Sequence, residues 1–218
     1  MSVLVDAAEA RARMVERQLR RRGISDQRVL DAMGRVPREL FVPEERRVYA
    51  YEDGALPIGH GQTISQPFIV ATICALLALD GRERVLDVGT GSGYQAAVLA
   101  ELAAEVVTIE HVPELAERAR TALRDAGYDR VEVLVGDGSL GVPERAPFAA
   151  IAVGAAAPAI PPTLYSQLEE HGRLVVPRGS RWGQELVLVV RTEAGPAERA
   201  SVPCRFVPLI GDEGFGGD

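Results

Sequence analysis

Short apolar segments alternate with amphipathic ones along most of the chain after residue 82. Strand-like runs occupy 83–89, 105–110, 131–138, 148–154, 172–177 and 184–191, and helical patterns occupy 94–103, 113–127 and 161–170. Strands this continuously apolar suit a sheet that is covered on both faces, and their alternation with helices indicates parallel βαβ units. The last two strands follow each other closely, which indicates a hairpin. The pattern predicts an α/β fold with a doubly wound, mostly parallel, Rossmann-like sheet and a late antiparallel strand.

The pattern before residue 59 is helical and polar. Residues 6–22 predict a helix that ends at Gly23, and residues 25–33 predict a second helix with Ser25 or Asp26 as its N-cap. We expect residues 1–218 to form a single domain. Its expected parts are a helical N-terminal annex (1–58), a loop and helix (59–80) and a Rossmann-like core (81–218). The glycine-rich "DEGFGGD" at the C-terminus is expected to be mobile.

The stretch "GHGQTISQPFIVA" (59–71) places hydroxyl side chains on a flexible loop where an apolar helix begins. Ser65 precedes Gln66 and Pro67, a pattern that predicts Ser65 as the N-cap of this helix. A hydrolase would instead use Ser65 as a nucleophile activated by His60. The chain has no GxSxG nucleophile elbow, which argues against that alternative.

Composition excludes several kinds of chemistry. All 24 basic residues are arginine, so Schiff-base catalysis and a Walker P-loop, which need lysine, are excluded. The net charge of −7 argues against binding of nucleic acid through bulk attraction of phosphates. The two cysteines and three histidines are isolated from one another, so no metal site is expected. The charged N-terminus and the lack of an 18-residue apolar run predict a cytoplasmic protein without a membrane segment.

A glycine-rich turn joins the first strand of the core to the following helix. In "LDVGTGSGYQAAVLA" (86–100), Gly89, Gly91 and Gly93 permit tight backbone turns and close approach of a ligand. The spacing also satisfies a loose form of the dinucleotide fingerprint. A nicotinamide-dependent oxidoreductase is therefore an alternative at this point.

Acidic residues at the ends of three successive strands favour a different ligand. Asp87 ends the first strand and is expected to face the ligand crevice, where it would repel a pyrophosphate but attract the cationic amino-acid portion of S-adenosylmethionine. Glu110 ends the next strand, where it could accept both ribose hydroxyls, and Asp137 ends the third, where it could accept from an adenine amino group. Together with the glycines, these carboxylates predict a methyl-donor site, in an enzyme or in a non-catalytic binding module.

Several longer motifs carry a family resemblance over residues 8 to 214. They are "VPRELFVP", "GHGQTISQPFIVA", "LDVGTGSGYQAAVLA", "VVTIE", "GDG", "AAAPAIPPTLYSQL", "GRLVVPRG" and "FVPLIG". The chain resembles the protein-L-isoaspartate O-methyltransferase family. The glycine loop alone indicates only the broad methyltransferase class, whereas "TISQP" and "AAAPAIP" are far more specific.

The resemblance implies roles for individual residues. It implies Ser65 as the active-site residue. The residues that it implies as cofactor contacts are Thr63, Ser65, Gln66, Asp87, Gly89, Gly91, Gly93, Glu110, His111, Asp137 and Gly138. Two positions depart from the family pattern, since Ala149 stands where an aspartate is common and His171 where a glycine is usual.

The resemblance also implies the reaction and the partner. The substrate is the free α-carboxylate of an L-isoaspartyl residue in a damaged protein, with D-aspartyl residues as a further candidate, and the product ester starts repair by closing to a succinimide. A carboxylate with a pKa near 3.5 is already ionised at pH 7, which explains why no catalytic histidine is needed. An alternative within the class is methylation of aspartates in a dedicated peptide precursor. The enzyme is expected to be a monomer.

Overall fold

The computed structural model describes residues 6–216. In chain order its main elements are α1 (Ala7–Met14), α2 (Gln27–Arg35), β1 (Leu56–Gly59), β2 (Gln62–Ile64), α3 (Pro67–Leu77), β3 (Arg84–Val88), α4 (Tyr94–Ala100), β4 (Glu105–Glu110), α5 (Pro113–Asp125), β5 (Glu132–Val135), β6 (Phe148–Val153), α6 (Pro162–Ser166), β7 (Leu168–Ser180), β8 (Gly183–Thr192) and β9 (Gly195–Cys204).

Seven strands form one sheet in the order β5-β4-β3-β6-β7-β8-β9. The first five of these are parallel, and β8 and β9 are antiparallel to their neighbours. The chain leaves β3 toward β4 on one side and later returns to β6 on the other, which creates a topological switch point beside β3. The predicted doubly wound sheet with a late antiparallel strand is confirmed.

Alternate residues of the strands feed two separate hydrophobic cores. On β3, Val85 packs into the core shared with α3, α4 and the N-terminal annex, whereas Leu86 packs into the core on the opposite face. Successive side chains of a strand point to opposite faces, so an unbroken apolar strand supplies both cores at once. This arrangement holds the carboxyl ends of the parallel strands at one edge.

The end of the sheet differs from the sequence prediction in two respects. The helix predicted over 161–170 ends at Ser166, because Leu168 already pairs with Phe148 of β6 and begins β7. Strand β9 was not predicted, since most of its residues are exposed and it pairs with β8 without presenting an apolar face.

The N-terminal annex follows the predicted helices, with irregular ends. Its first five residues lie outside the described residues. Helix α1 continues into a π-helical segment (Val15–Leu19) and a 3₁₀ turn (Arg20–Arg22), and it stops at Gly23 with φ of 97°. Asp26, and not Ser25, caps α2 by accepting from the amide of Arg28 at 2.9 Å.

Residues 56–64 form a hairpin where a flexible loop was expected. Gly59 pairs with Gln62, which leaves His60 and Gly61 as a two-residue turn with φ of 52° and 71°. Positive φ at both turn positions matches the twist of a tight hairpin. The hairpin fixes the path of the chain into α3.

The described part of the C-terminal segment is tied to the body, in contrast to the expected mobility. The amide of Asp212 donates to Asp137 at 2.8 Å, and the Glu213 carboxylate accepts from the amide and hydroxyl of Thr163 at 2.9 and 2.6 Å. Residues 217–218 lie outside the described residues. Among residues 6–216, no helix combines the length and apolarity needed to cross a bilayer.

Candidate active site

Two adjoining cavities open at the carboxyl ends of the parallel strands. The first, here the strand-end cavity, is lined by residues that include Thr63, Gly89, Gly91, Glu110, His111, Gly138, Gly154 and Ile210. The second, here the Ser65 cavity, measures about 370 Å³, and its lining includes Asp53, Thr63, Ser65, Gln66, Gly154 and Arg205. Thr63, Gly154 and Val207 line both cavities. Ligands in the two cavities would therefore meet at these residues.

Glu110 organises the glycine loop from the end of β4. Its carboxylate accepts hydrogen bonds from the amides of Gly91 at 2.7 Å and Val112 at 3.0 Å. Gly91 has φ of 53°, a conformation that a side chain would strain. Glu110 is 94% shielded yet lines the strand-end cavity, so its remaining lone pairs are available to a ligand there.

Asp87 lies beneath the strand-end cavity, and this corrects the expectation that it faces the crevice. The side chain is fully buried, and its two oxygens accept from Gln95 Nε2 at 2.7 Å and Thr108 Oγ1 at 2.9 Å. Burial raises the pKa of Asp87 to about 6, against the lowering effect of these two hydrogen bonds. Its charge can act on a ligand through the loop, but its side chain does not line the cavity.

Asp137 is likewise engaged by the protein itself. It accepts from the amide and hydroxyl of Ser139 at 2.8 and 2.7 Å and from the amide of Asp212 at 2.8 Å. Burial raises the pKa of Asp137, but the hydrogen bonds outweigh it and hold that pKa below its ordinary value. The following Gly138 lines the strand-end cavity, where an added Cβ would lie 2.8 Å from Val88 Cγ1. Only glycine allows this close approach.

Ser65 does not cap α3, and the prediction that it does is wrong. The N-cap is Gln66, which makes no side-chain capping hydrogen bond, and helix α3 begins at Pro67. Within residues 6–216 the Ser65 hydroxyl has no hydrogen-bond partner, although the residue is half-buried in the cavity wall. Gln66 Nε2 donates to Asp53 at 2.6 Å. The hydroxyl of Ser65 is thus free for a ligand.

The structure brings together most but not all of the sequence-predicted residues. Gly89, Gly91, Glu110, His111 and Gly138 line the strand-end cavity, and Thr63 stands at the junction. Ser65 and Gln66 line the other cavity. Gly93 is the N-cap of α4, and it and Asp87 do not line either one.

Ala149 lies far from both cavities. It is the second residue of β6, four residues and about 13 Å before Val153 at the cavity end of that strand. An alanine at this position therefore does not change the lining of either cavity.

Sequence reasoning missed several lining residues. Leu209 and Ile210 fall within a motif that was noted only for its family resemblance, and Gly154 was noted only as the end of the strand-like run 148–154. Asp53 and Arg205 stand in no recognised motif. The two cavities are assembled from segments that are distant along the chain, and no short motif in the sequence indicates that these segments meet.

The lining of the strand-end cavity discriminates between the ligands considered. Its ionisable side chains, among the described residues, are Glu110 and His111, and no arginine contributes. A pyrophosphate would meet a carboxylate without a compensating basic cluster. S-adenosylmethionine carries no phosphate and bears positive charge, and its ribose offers two hydroxyls to Glu110. The apolar walls, including Ile109 and Leu209, suit a flat base.

Known proteins match this chain over almost its whole length. A family model described as protein-L-isoaspartate(D-aspartate) O-methyltransferase matches residues 9–214. Protein-L-isoaspartate O-methyltransferase 2 of Marinobacter nauticus is 56% identical over 212 residues, with 96% of this chain and 97% of the relative covered. Protein-L-isoaspartate O-methyltransferase of Methanoculleus marisnigri is 53% identical, with 95% and 94% covered.

Solved structures show the same relationship. A protein-L-isoaspartate O-methyltransferase structure superposes with a TM-score of 0.83 at 30% identity, and the match covers 94% of this chain and 67% of that one. A candidate enzyme of this kind from Plasmodium falciparum, in complex with S-adenosyl-L-homocysteine, gives 0.80 at 26% identity and covers 92% and 98%. The chain therefore belongs to the protein-L-isoaspartate(D-aspartate) O-methyltransferase family.

Proposed function

We propose that the strand-end cavity holds S-adenosylmethionine and that the Ser65 cavity holds the L-isoaspartyl residue whose free α-carboxylate is methylated. The observation that carries this proposal is the shared wall at Thr63 and Gly154, with an unpartnered hydroxyl beside it. The relatives reported above are named for isoaspartate methyl transfer, so the precursor-directed alternative has no support among them.

The residues of the strand-end cavity bind and orient the donor. S-adenosylmethionine supplies a methyl group on a sulfonium centre when it is bound. Gly89, Gly91 and Gly138 let it approach the main chain, and Glu110 accepts from its ribose hydroxyls while holding the Gly91 amide. His111 lines the same wall. Buried Asp87 adds negative potential from below, which favours a cationic ligand.

The residues of the Ser65 cavity orient the acceptor. The acceptor carboxylate is ionised at neutral pH and needs no general base. Ser65 donates a hydrogen bond to one of its oxygens, which aligns the other for attack. Positioning of two reactants can lower a barrier by roughly 7–11 kcal/mol, which makes alignment the main task of this chain. The ester then closes to a succinimide as the next backbone nitrogen displaces methanol, and hydrolysis returns part of it to aspartate.

We propose that the enzyme works as a cytoplasmic monomer that binds neither nucleic acid nor membranes. The exposed large apolar side chains within residues 6–216 are few and scattered, which supports a monomeric single domain. The net charge of −7 disfavours nucleic acid and anionic membranes as partners. Cys74 and Cys204 are free thiols, as expected in the reducing cytoplasm.

The test uses methyl-labelled S-adenosylmethionine and two peptides that differ only in isoaspartate versus aspartate. Volatile label released by mild base measures the ester. We expect label with the isoaspartyl peptide alone. Label with both peptides would contradict the isoaspartyl specificity, and no label with either, while donor binding is measured separately, would contradict the acceptor assignment.

A further inference from the structure

Arg205 lies on the wall of the Ser65 cavity, directly after β9. The residue is exposed, and its guanidinium has no hydrogen bond or ion pair within the described part of the chain. An arginine side chain offers five donors in a planar fork that matches a carboxylate. Among the described residues, no carboxylate or other acceptor pairs with this guanidinium.

The other charged group of the Ser65 cavity is already compensated. The Asp53 carboxylate lies 3.1 Å from Arg22 and accepts from Gln66 Nε2 at 2.6 Å. Cys204 stays a neutral thiol at pH 7, because burial raises its pKa to about 11. The charge left uncompensated in this cavity is therefore the single positive charge of Arg205, in a chain with a net charge of −7.

We propose that Arg205 is a substrate-binding residue that recognises the α-carboxylate of the isoaspartyl acceptor. This proposal rests on the proposed function, because it assumes that the Ser65 cavity receives that acceptor. The carboxylate is the one anionic group that every acceptor brings, whatever the sequence around it. In isoaspartate the free carboxylate is attached directly to Cα, whereas in aspartate a methylene group separates the side-chain carboxylate from Cα. A guanidinium at a fixed position can therefore also distinguish the two residues by the position of the carboxylate.

The chemistry of the reaction confines this contact to the ground state. The attacking oxygen loses negative charge as its bond to the methyl carbon forms, and the product ester is neutral. An interaction that is strongest with the free carboxylate lowers KM and does not raise kcat. The ion pair with Arg205 is also lost once the neutral ester has formed, which favours release of the methylated product and binding of a new acceptor.

The test measures binding of two peptides to the full chain saturated with S-adenosylhomocysteine. One peptide carries isoaspartate, and the other carries isoasparagine, in which the α-carboxylate is replaced by a neutral carboxamide of the same shape. For Arg205→Gln we expect the isoaspartyl Kd to rise roughly threefold to tenfold, while the isoasparaginyl Kd stays within twofold. In turnover assays KM should rise by the same factor with kcat within twofold.

Two further variants make the result decisive. Arg199→Gln removes another exposed arginine, within β9 and six residues, or about 20 Å, along the chain before Arg205, and it should leave both Kd values unchanged. Arg205→Lys keeps the charge and should retain at least half of the discrimination between the peptides on a logarithmic scale.

Several outcomes would overturn the proposal. Equal weakening of both peptides by Arg205→Gln would mean that the side chain only shapes the cavity. An effect limited to isoaspartyl peptides with acidic neighbours would mean that it reads the flanking chain. Because the binding assay needs no turnover, a failure here leaves the methyl-transfer assay with the unaltered enzyme untouched, and the two failures are distinguishable.

Discussion

The two adjoining cavities differ in how the protein treats its own polar groups. At the strand-end cavity each predicted carboxylate already has partners: Asp87 is held by Gln95 and Thr108, and Glu110 is held by two backbone amides. At the Ser65 cavity a hydroxyl and a guanidinium face the space without partners among the described residues.

The difference reflects the two kinds of ligand. A small donor of fixed structure is bound best by groups that need no rearrangement, so the strand-end cavity is built from satisfied side chains on rigid strand ends. A damaged polypeptide arrives in many sequences and brings in common only its backbone and a carboxylate. Free donors in an open cavity are suited to that ligand. The predictions below would break or sharpen this contrast.

Glu110→Ala should give the largest effect. The substitution removes the carboxylate expected to bind the ribose and frees the amides of Gly91 and Val112, which it now holds at 2.7 and 3.0 Å. We expect the Kd for S-adenosylhomocysteine to rise roughly a hundredfold or more, or about 3 kcal/mol, in a calorimetric titration.

The matched control for this prediction is Glu105→Ala at the opposite end of the same strand. Glu105 is half-exposed and lies 2.8 Å from Arg84, away from both cavities. Its removal should leave the Kd for the donor product unchanged. A change below threefold for Glu110→Ala would mean that donor binding does not depend on the strand-end cavity as described.

Asp87 should make the free energy of unfolding fall as the pH rises, which is the opposite of the usual effect of a carboxyl group. Its folded pKa of about 6 exceeds the ordinary 3.8, so between these values the folded chain binds more protons than the unfolded chain. Its contribution to stability is fully present below pH 3.8 and is lost as the pH rises through 6, by about 3 kcal/mol in total. In urea titrations from pH 4 to 7, the free energy of unfolding should fall for the unaltered chain relative to Asp87→Asn.

The same titration bears on the donor. A cationic ligand above the buried carboxylate favours the charged form of Asp87. The Kd for S-adenosylmethionine should therefore rise below pH 6 in the unaltered chain, and it should rise less in Asp87→Asn. Parallel unfolding curves for the two proteins at all pH values would show that burial does not shift this carboxyl.

Ser65→Ala should lower kcat without affecting the donor or the fold. Ser65 differs from Arg205 in that its hydrogen bond aligns the attacking oxygen, and this alignment is needed in the transition state. With about 1.5–3 kcal/mol expressed in alignment, we expect kcat to fall roughly tenfold to a hundredfold. The Kd for S-adenosylhomocysteine should stay within twofold, and the free energy of unfolding within about 0.5 kcal/mol, because the hydroxyl has no partner in the described chain.

Asp26→Ala is the natural comparison, because Asp26 is a true N-cap. It accepts from the amides of Arg28 and Val29 at the start of α2, and its loss should cost about 1 kcal/mol of stability while kcat is unchanged. Equal losses of turnover and donor affinity in Ser65→Ala, or a loss of stability like that of Asp26→Ala, would return Ser65 to a structural role.

The glycine-loop side of the strand-end cavity could be predicted from the sequence, because its requirements are local, whereas the wall formed by Gly154 and residues 207–210 could not. A tight strand-to-helix turn needs glycine, and a buried parallel strand needs an unbroken apolar run, so Gly89, Gly91 and Glu110 all follow from short motifs. Spacing does not reveal which way a side chain points. Asp87 was therefore expected in the crevice although it is buried beneath it.

The Ser65 cavity could be predicted only in part. Its wall combines residues 53–55, 63, 65, 66, 69, 154 and 203–207, and the hairpin β1–β2 and the exposed edge strand β9 help to bring these segments together. Both elements are short or polar and lack an apolar period. The cap of α3 was misplaced by one residue, because serine is the stronger capping residue by type, whereas the helix begins at Pro67 directly after Gln66, which makes no side-chain capping hydrogen bond.

His171 supplies the smallest predicted effect and tests a departure that was visible in the sequence. It stands where the family usually has glycine, and its φ of 63° lies in the left-handed region. A non-glycine residue in this conformation is strained by about 1–2 kcal/mol, and glycine would relieve that strain. Part of the gain is offset, because glycine also increases the conformational entropy of the unfolded chain. His171→Gly should therefore raise the free energy of unfolding by up to about 1 kcal/mol in urea titrations, with kcat unchanged.

Ala78→Gly, at another exposed position with φ of 46°, should give a gain of the same sign. His171→Ala keeps the strained backbone and should give no gain. A loss of stability in both His171 variants would instead assign importance to the imidazole, which lies 3.8 Å from the carboxylate of Glu170.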